Sequence, residues 1–218
     1  MDIRPTVRVA GFSHAGERLR WLALLALVAV AAGVWLRFSM LPTKYVYRDE
    51  VWTSMHIAGN SIEDVRALHV QNATAGDLVR TFQTPRTRGT ADTVRALATT
   101  DPQHPPLYYL LARGWAGEGT SSITRERALS ALFGILLIAA MYWLALALFK
   151  RTGTALLCAA FVAASPYQAV FSDEVREWSL FMLLAVIATA LLVKALEASS
   201  IWNWVAYGVA MLLTAYCS

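Results

Sequence analysis

The sequence predicts an all-α, polytopic integral membrane protein with about five transmembrane helices and a large extracytoplasmic first loop that carries juxtamembrane helices. Hydrophobic residues make up 57% of the chain and charged residues only 16%. The mean hydropathy of +0.46 is too high for a soluble globular domain. The apolar residues are also gathered in long runs instead of alternating, and such runs are typical of membrane spans.

Five apolar runs are long enough to cross about 30 Å of hydrocarbon as helices. They cover residues 21–41, 128–149, 155–171, 178–196 and 201–217. A sixth run, residues 105–116, is short and contains Arg113, so it suits an interfacial or re-entrant helix better than a span. Because the last run stops at Ser218 with no flanking loop, we expect the chain to be a fragment.

The positions of basic residues predict the orientation of the spans. They precede the first span, follow the second and end the fourth, at Arg18, Arg20, Lys150, Arg151 and Lys194. If residues 105–116 do not cross, all of these lie on the cytoplasmic side, as the positive-inside rule requires. Residues 1–20 are then a cytoplasmic segment and residues 21–41 the first span. Residues 42–127 form an extracytoplasmic loop, and residues 128–218 form the second to fifth spans.

Composition and cysteine usage exclude several other classes of protein. The net charge is only +4, and no Lys/Arg-rich cluster with interleaved aromatic residues is present, so nucleic acid is not an expected partner. Cys158 and Cys217 both lie inside apolar runs. We expect them to pack as small core residues rather than to form a disulfide or a metal site.

An acidic pair, Asp49 and Glu50, follows the first span at the start of the long loop. Carboxylates at a membrane surface are costly to desolvate and therefore usually have a partner or a function. In an inverting sugar transfer, a carboxylate takes the proton of an acceptor hydroxyl while that hydroxyl attacks the anomeric carbon.

Adjacent carboxylates on a helix cannot both face one point. We therefore expect one of the pair to act and the other to position it or bind a cation, with Arg48 keeping the pair ionised. A structural interpretation stays open beside this one, in which the acidic pair stabilises the first turn of a helix over residues 51–58 through the helix dipole.

A second motif, residues 104–107 (His-Pro-Pro-Leu), closes the loop and predicts a helix start, since proline is tolerated in a first turn. The amides of Leu107 and Tyr108 and the side chain of His104 are candidates to bind a phosphate oxygen. A rigid helix start with a capping histidine explains the same residues structurally. Arg113, farther along this helix, either snorkels to the headgroups or holds a lipid phosphate.

A third motif, residues 172–178, lies between the third and fourth predicted spans. Ser172 is a good N-cap, the two acids after it suit a first turn, and Arg176 can pair with Asp173. In the functional interpretation, the forked guanidinium of Arg176 binds a phosphate, and Asp173 or Glu174 binds the acceptor or a cation. Local structure alone explains these residues equally well.

These three motifs, in this order, resemble those of the GT-C superfamily of membrane glycosyltransferases, in particular its family 39-like group, which includes protein O-mannosyltransferases and bacterial relatives. The family's acidic pair matches Asp49 and Glu50, and its His-Pro-Pro-Leu helix start matches residues 104–107. Its Gln-Glu-Ala-Arg-x-Tyr-Ser-Leu stretch corresponds to residues 173–180, which read Asp-Glu-Val-Arg-Glu-Trp-Ser-Leu. The similarity extends over nearly the whole chain but covers only the N-terminal part of such a protein.

The resemblance implies a multi-pass enzyme of the bacterial plasma membrane. Such an enzyme transfers a sugar with inversion from a polyprenyl-phosphate-linked donor on the extracytoplasmic face. Asp49 is then the base, and the regions of His104 and Arg176 lie on the phosphate side. The candidate substrate- and phosphate-binding residues, next to the catalytic pair Asp49 and Glu50, are Arg48, His104, Arg113, Asp173, Glu174 and Arg176. The expected partners are the lipid-linked donor and membrane lipids, and some members of the superfamily also need a divalent cation.

Two other functions stay open. A transporter or lipid-binding membrane protein would place charged residues near the middle of the membrane and would show broken helices or inverted repeats. Here the charges cluster at one interface and the sequence shows no internal repeat. A non-catalytic membrane scaffold of related fold is the second alternative, and it would tolerate the loss of Asp49.

Overall fold

The computed structural model describes residues 12–70, 73–74, 76–77, 88–117, 122–198 and 200–218. Residues 1–11 of the predicted cytoplasmic segment lie outside this described part. The regular elements within it are α-helices with no β-strand among them, which confirms the all-α prediction. In chain order the helices are α1 (Phe12–Ser39), α2 (Arg48–Ile57), α3 (Ile62–Val70), α4 (Thr90–Thr100), α5 (Leu107–Ala116), α6 (Ile123–Phe149), α7 (Thr152–Ala164), α8 (Pro166–Ser172), α9 (Trp178–Glu197) and α10 (Ile201–Ala215).

Three of these helices are long and apolar enough to cross a membrane, namely Leu19–Ser39 within α1, α6 and α9. Helices α7 and α8 pass the same test together but bend by 62° at their junction. The bend follows from Pro166, which lacks the N–H that a continuous helix needs, and from Ser165, whose side chain caps α8. Helix α10 is apolar but has only 15 residues.

The described helices therefore provide three spans, or four if the bent pair counts as one, where the sequence has five runs of spanning length. The difference lies in the bend between α7 and α8 and in the length of α10, which rises about 22 Å. The polytopic membrane class predicted from the sequence is confirmed.

Helix α6 lies at the centre of the bundle and packs against α1, α7, α8 and α9, while α10 packs along α9. The outer faces carry large apolar side chains that are exposed to more than half of their area, such as Trp21, Leu25, Phe161 and Trp202. A surface of this kind is stable in hydrocarbon and would aggregate in water.

The loop helices α2, α4 and α5 pack on one another and cover one end of the bundle. Their apolar side chains join those of the bundle in one core that includes Ile57, Leu97, Tyr109 and Val175. Helix α5 has ten residues and rises about 15 Å, half of the hydrocarbon thickness. Its length and its packing agree with the expectation that this segment does not cross the membrane.

Arg37, near the end of α1, is fully buried and holds the bent pair against α1. Its Nη1 donates to the carbonyl oxygens of Gly33 at 2.9 Å and Ala163 at 3.1 Å, and its Nε donates to Ser172 Oγ at 3.2 Å. The carbonyls at the end of α7 have no partner within their own helix because α7 stops there. Arg37 therefore supplies the donors that the broken helix lacks.

Helices α1 and α7 approach closely at the same level. A Cβ added to Gly33 would lie 2.5 Å from the carbonyl oxygen and 2.9 Å from the carbonyl carbon of Ala163. Small residues at membrane helix interfaces allow such backbone contact. Gly33 is thus required by the packing of the two helices.

We predict that Gly33→Ala lowers the stability of the protein by about 1–3 kcal/mol, because backbone atoms must move to admit the methyl group. Gly208→Ala is the matched control, since no atom lies within 4 Å of a Cβ at this position in α10. Unfolding of both variants in detergent micelles measures the difference. Equal unfolding midpoints for Gly33→Ala and the wild type would contradict the close contact.

Candidate functional site

The covered end of the bundle contains a polar cleft with a volume of about 430 Å³. The loop helices and the turn between α8 and α9 form its walls. The residues that line it are Arg48, Asp49, Trp52, His56, Ile62, Thr100, Asp101, Gln103, His104 and Arg176. The cleft therefore brings together part of each of the three motifs that the sequence singled out, although these motifs are more than fifty residues apart.

The two acidic residues of the first motif have opposite environments. Asp49 lies in the first turn of α2 with 70% of its side chain exposed, whereas the side chain of Glu50 is only 1% exposed. Successive residues of a helix point about 100° apart, so the phase of α2 turns one carboxylate to the cleft and the other to the core. Asp49 is consequently the member of the pair that is accessible from the cleft.

Glu50 forms a buried, two-pronged ion pair with Arg127 in the first turns of α6. Arg127 Nε lies 2.8 Å from Glu50 Oε1, and Arg127 Nη2 lies 2.7 Å from Oε2. The backbone amides of Tyr47 and Val175 each donate to the same carboxylate at 3.1 Å. This geometry is the strong, bidentate form of a charge-assisted hydrogen bond.

Arg127 also anchors the segment that links α1 to α2. Its guanidinium donates to the carbonyl oxygens of Leu41, Lys44 and Tyr45 at 2.9–3.0 Å. Burial alone would raise the pKa of Glu50. The hydrogen bonds from Arg127 and from the two amides outweigh that effect and hold the pKa of Glu50 below its usual value.

Arg176 reaches the cleft from the turn between α8 and α9. Its Nη1 lies 3.9 Å from Asp49 Oδ2, its Nε lies 3.6 Å from Glu177 Oε2, and its guanidinium stacks over Trp178. The sequence predicted that Arg176 pairs with Asp173, and this is wrong, because the turn directs the two side chains to different sides. Arg176 and Asp49 together form the charged centre of the cleft.

His104 lies between two carboxylates. Its Nδ1 is 3.3 Å from Glu177 Oε1, and its Nε2 is 3.7 Å from Asp101 Oδ2 at the surface of the cleft. Glu177 is fully buried, and within the described part of the chain neither of its oxygens accepts a hydrogen bond. A buried carboxylate without hydrogen bonds is costly, and here it faces the imidazole of His104 and the guanidinium of Arg176.

His56 lines the cleft, and Tyr109 lies behind it, in ring contact with both His56 and His104. Burial and the nearby Glu177 carboxylate raise the pKa of the Tyr109 hydroxyl above its usual range, and burial lowers the pKa of His56. His56 Nε2 is paired with Thr100 Oγ1 at 2.9 Å. Both groups are thus uncharged around neutral pH, and the part of the lining that His56 forms is polar but neutral.

Asp173 and Glu174, which the sequence offered as cation or acceptor ligands, do not line the cleft. Glu174 Oε1 lies 3.3 Å from Lys44 Nζ. Asp173 is buried, and burial raises its pKa to about 6 although the cations Lys44, Arg37 and Arg127 oppose the shift. These two acids face the link between α1 and α2 rather than the cleft.

The groups of α5 that the sequence offered as phosphate ligands also have other partners. Arg113 Nη1 donates to the carbonyl of Ile57 at 2.9 Å and to Thr93 Oγ1 at 3.1 Å, and its Nη2 donates to the carbonyl of Arg88. Arg113 therefore joins α2, α4 and α5 outside the cleft. The amide of Leu107 donates to the carbonyl of Tyr216 at 3.2 Å, so the expectation that this amide is free is wrong.

Three charged residues in or beside the site were not predicted from the sequence, namely Asp101, Glu177 and Arg127. Glu177 and Arg127 flank apolar runs, a position where charged residues commonly mark only the end of a span. Asp101 precedes the proline-rich motif by three residues, and this i, i+3 spacing from His104 was the one available signal. In the described part of the chain, no group of three or more His, Cys, Asp or Glu side chains is arranged to hold a metal ion.

Comparison with known proteins gives no further guidance, since no protein family, no curated protein and no solved structure matches the chain. The fold and the site define a helical multi-pass membrane protein with a charged cleft at one end of its bundle. Any functional assignment therefore rests on the chemistry of that cleft and on the motifs.

The neighbouring acids permit a direct test of this geometry. We predict that Glu50→Gln destabilises the protein by about 3–5 kcal/mol, because it leaves the buried Arg127 without its counter-ion. Asp49→Asn should change stability by less than about 1 kcal/mol, since an exposed pair contributes little. Unfolding in detergent at neutral pH compares the two variants.

The pH dependence of stability tests the sign of the contribution that Glu50 makes to the free energy of unfolding. A carboxyl whose pKa is lowered by folding adds stability above its unfolded pKa of about 4.3, and this is lost as the pH falls through the lower, folded value. The deficit of Glu50→Gln should therefore shrink below about pH 4. A deficit that is independent of pH, or an equal loss in Asp49→Asn, would contradict the buried ion pair.

Proposed function

We propose that this chain belongs to a membrane glycosyltransferase. In this proposal it moves a sugar from a polyprenyl-phosphate-linked donor to an acceptor hydroxyl, with inversion, and Asp49 is the base. The observation that carries the proposal is the pairing, in one cleft beside an apolar helical bundle, of an exposed carboxylate with a guanidinium 3.9 Å away. The motif resemblance supplies the reaction type.

The reaction assigns a task to each side of the cleft. Asp49 takes the proton of the acceptor hydroxyl, whose oxygen forms the new bond to the anomeric carbon. The bond between that carbon and the donor phosphate oxygen breaks, and its electron pair leaves with the phosphate. Positive groups at the leaving oxygen stabilise the charge that develops there.

Arg176, Arg48 and His104 are the positive or hydrogen-bonding groups that line the same cleft. Arg176 is the best placed, because its planar fork matches two phosphate oxygens. Its nitrogen is 3.9 Å from the Asp49 carboxylate, a long distance for an ion pair, so a phosphate can replace Asp49 as its partner. Glu177 positions both Arg176 and His104 from behind without reaching the cleft surface. A lipid-linked donor fits this arrangement because its chain can lie along the exposed apolar helices.

The proposal includes the side of the membrane. The end of the bundle opposite the cleft carries Lys150, Arg151 and Lys194, and the positive-inside rule puts such residues in the cytoplasm. The cleft then opens on the extracytoplasmic face of a plasma membrane.

We predict that Asp49→Asn lowers sugar transfer by about 10²–10⁴-fold, the contribution typical of a general base. The assay incubates membranes that contain the protein with polyprenyl-phosphate mannose that is radiolabelled in its phosphate. It measures the release of labelled polyprenyl phosphate. Glu63→Gln is the control, because Glu63 is an exposed acid in the first turn of α3 and lies outside the cleft. Full release by Asp49→Asn would reject Asp49 as the base, whereas no release by the wild type would favour the scaffold or transport alternative.

We predict a different effect for Glu177→Gln, which removes the charge that holds His104 and Arg176. The KM for the lipid-linked donor should rise about tenfold or more, with a smaller change in kcat, because a positioning residue on the phosphate side acts on donor binding. Glu174→Gln is the matched control, since this neighbouring acid pairs with Lys44 away from the cleft. Equal KM values for both variants would exclude the positioning role.

A further inference from the structure

A second concave site lies at the opposite end of the bundle, in a groove of about 330 Å³ between α1 and α7. The two helices run in the same direction, and their backbones meet at Gly33 and Ala163 near the cleft end. Toward their N-terminal ends the groove opens between them. Leu19, Leu22 and Ala26 of α1 and Leu157 of α7 form its apolar walls.

The walls of the groove are directed to the outside of the bundle. Leu19, Leu22 and Leu157 are exposed to 67%, 49% and 40% of their area. The segment from Leu19 to Ala26 belongs to the span of α1, and its seven steps rise about 10 Å along the helix. In a bilayer, an apolar groove in this position would face the acyl chains of the lipid.

The open end of the groove carries positive charge. Arg151 and Thr154 line it, and within the described part of the chain the guanidinium of Arg151 has no ion pair or hydrogen bond. By contrast, the neighbouring Lys150 lies 2.7 Å from Glu197. The described charged side chains at this end are four cations and two carboxylates, at Arg20, Lys150, Arg151, Lys194, Glu17 and Glu197.

We infer that this groove is a binding site for one anionic phospholipid, with its acyl chain along α1 and α7 and its phosphate at Arg151. The charge selects the headgroup, because an arginine at the membrane surface attracts anionic lipids over zwitterionic ones. The apolar walls of the groove favour a lipid over a free phosphate ion, because only the lipid has an acyl chain that can contact them. The site is separate from the cleft and does not depend on the proposed transferase activity.

Native mass spectrometry of the full chain from detergent tests the inference, with phosphatidylglycerol and phosphatidylcholine as probes. The wild type should retain one phosphatidylglycerol at least five times more strongly than phosphatidylcholine. Arg151→Gln should remove that preference. Lys194→Gln is its control, because Lys194 is a cation at the same end that lies over the ring of Trp143, outside the groove.

Gly153→Leu tests the apolar part of the site. Gly153 lines the groove, and no atom lies within 4 Å of a Cβ there, so a leucine fills the groove without straining the helix. This variant should lose at least fivefold in affinity for both lipids, while Gly208→Leu, which adds the same side chain in an equally open position on α10, should behave as the wild type. Circular dichroism confirms that each variant is folded.

Three outcomes would overturn the inference. Equal retention of the two lipids by the wild type would exclude selection by charge. Normal binding by Gly153→Leu would mean that phosphatidylglycerol is adsorbed at the headgroup level and does not use the groove. Binding that appears only after deletion of residues 2–11 would mean that the N-terminal segment of the chain is the occupant.

Discussion

The buried ion pair between Glu50 and Arg127 is the interaction on which the rest of the site depends. It joins the first turn of α2 to the first turns of α6, and through the Val175 amide it also fixes the turn before α9. Desolvated charges of this kind are costly to separate, because either one alone would remain buried without a counter-ion. Segments that are 77 and 125 residues apart in the chain are thereby held in fixed positions relative to one another.

The same carboxylate determines which groups face the cleft. Because Glu50 points into the core, helix geometry directs Asp49 about 100° away, to the solvent side of α2. Because the amide of Val175 is held by Glu50, the next residue, Arg176, turns toward Asp49 on the opposite wall. One buried acid thus places the exposed acid and its guanidinium partner opposite each other, without touching any ligand that enters the cleft.

Local signals in the sequence predicted the helices but not the partners of their charged residues. The apolar runs gave the membrane class, and the proline motif gave the start of α5, because both depend on short-range rules. The sequence could state that the adjacent acids have different roles, but not which one is buried, since the phase of α2 is set by Arg127. The partners of Arg113 could not be predicted for the same reason, because Ile57 and Thr93 become its neighbours only when α2, α4 and α5 pack.

The two ends of the bundle differ for a physical reason. Inside a bilayer the hydrophobic effect does not drive helices together, so association depends on close packing and on polar contacts. In this protein such contacts are concentrated at the cleft end, in the backbone approach at Gly33, the carbonyl contacts of Arg37 and the Glu50–Arg127 pair. At the other end the described side chains of α1 and α7 make no comparable polar contact, and a groove remains between the two helices. The arrangement fixes the walls of the charged cleft relative to one another and leaves, at the opposite end, the groove that we infer is completed by lipid.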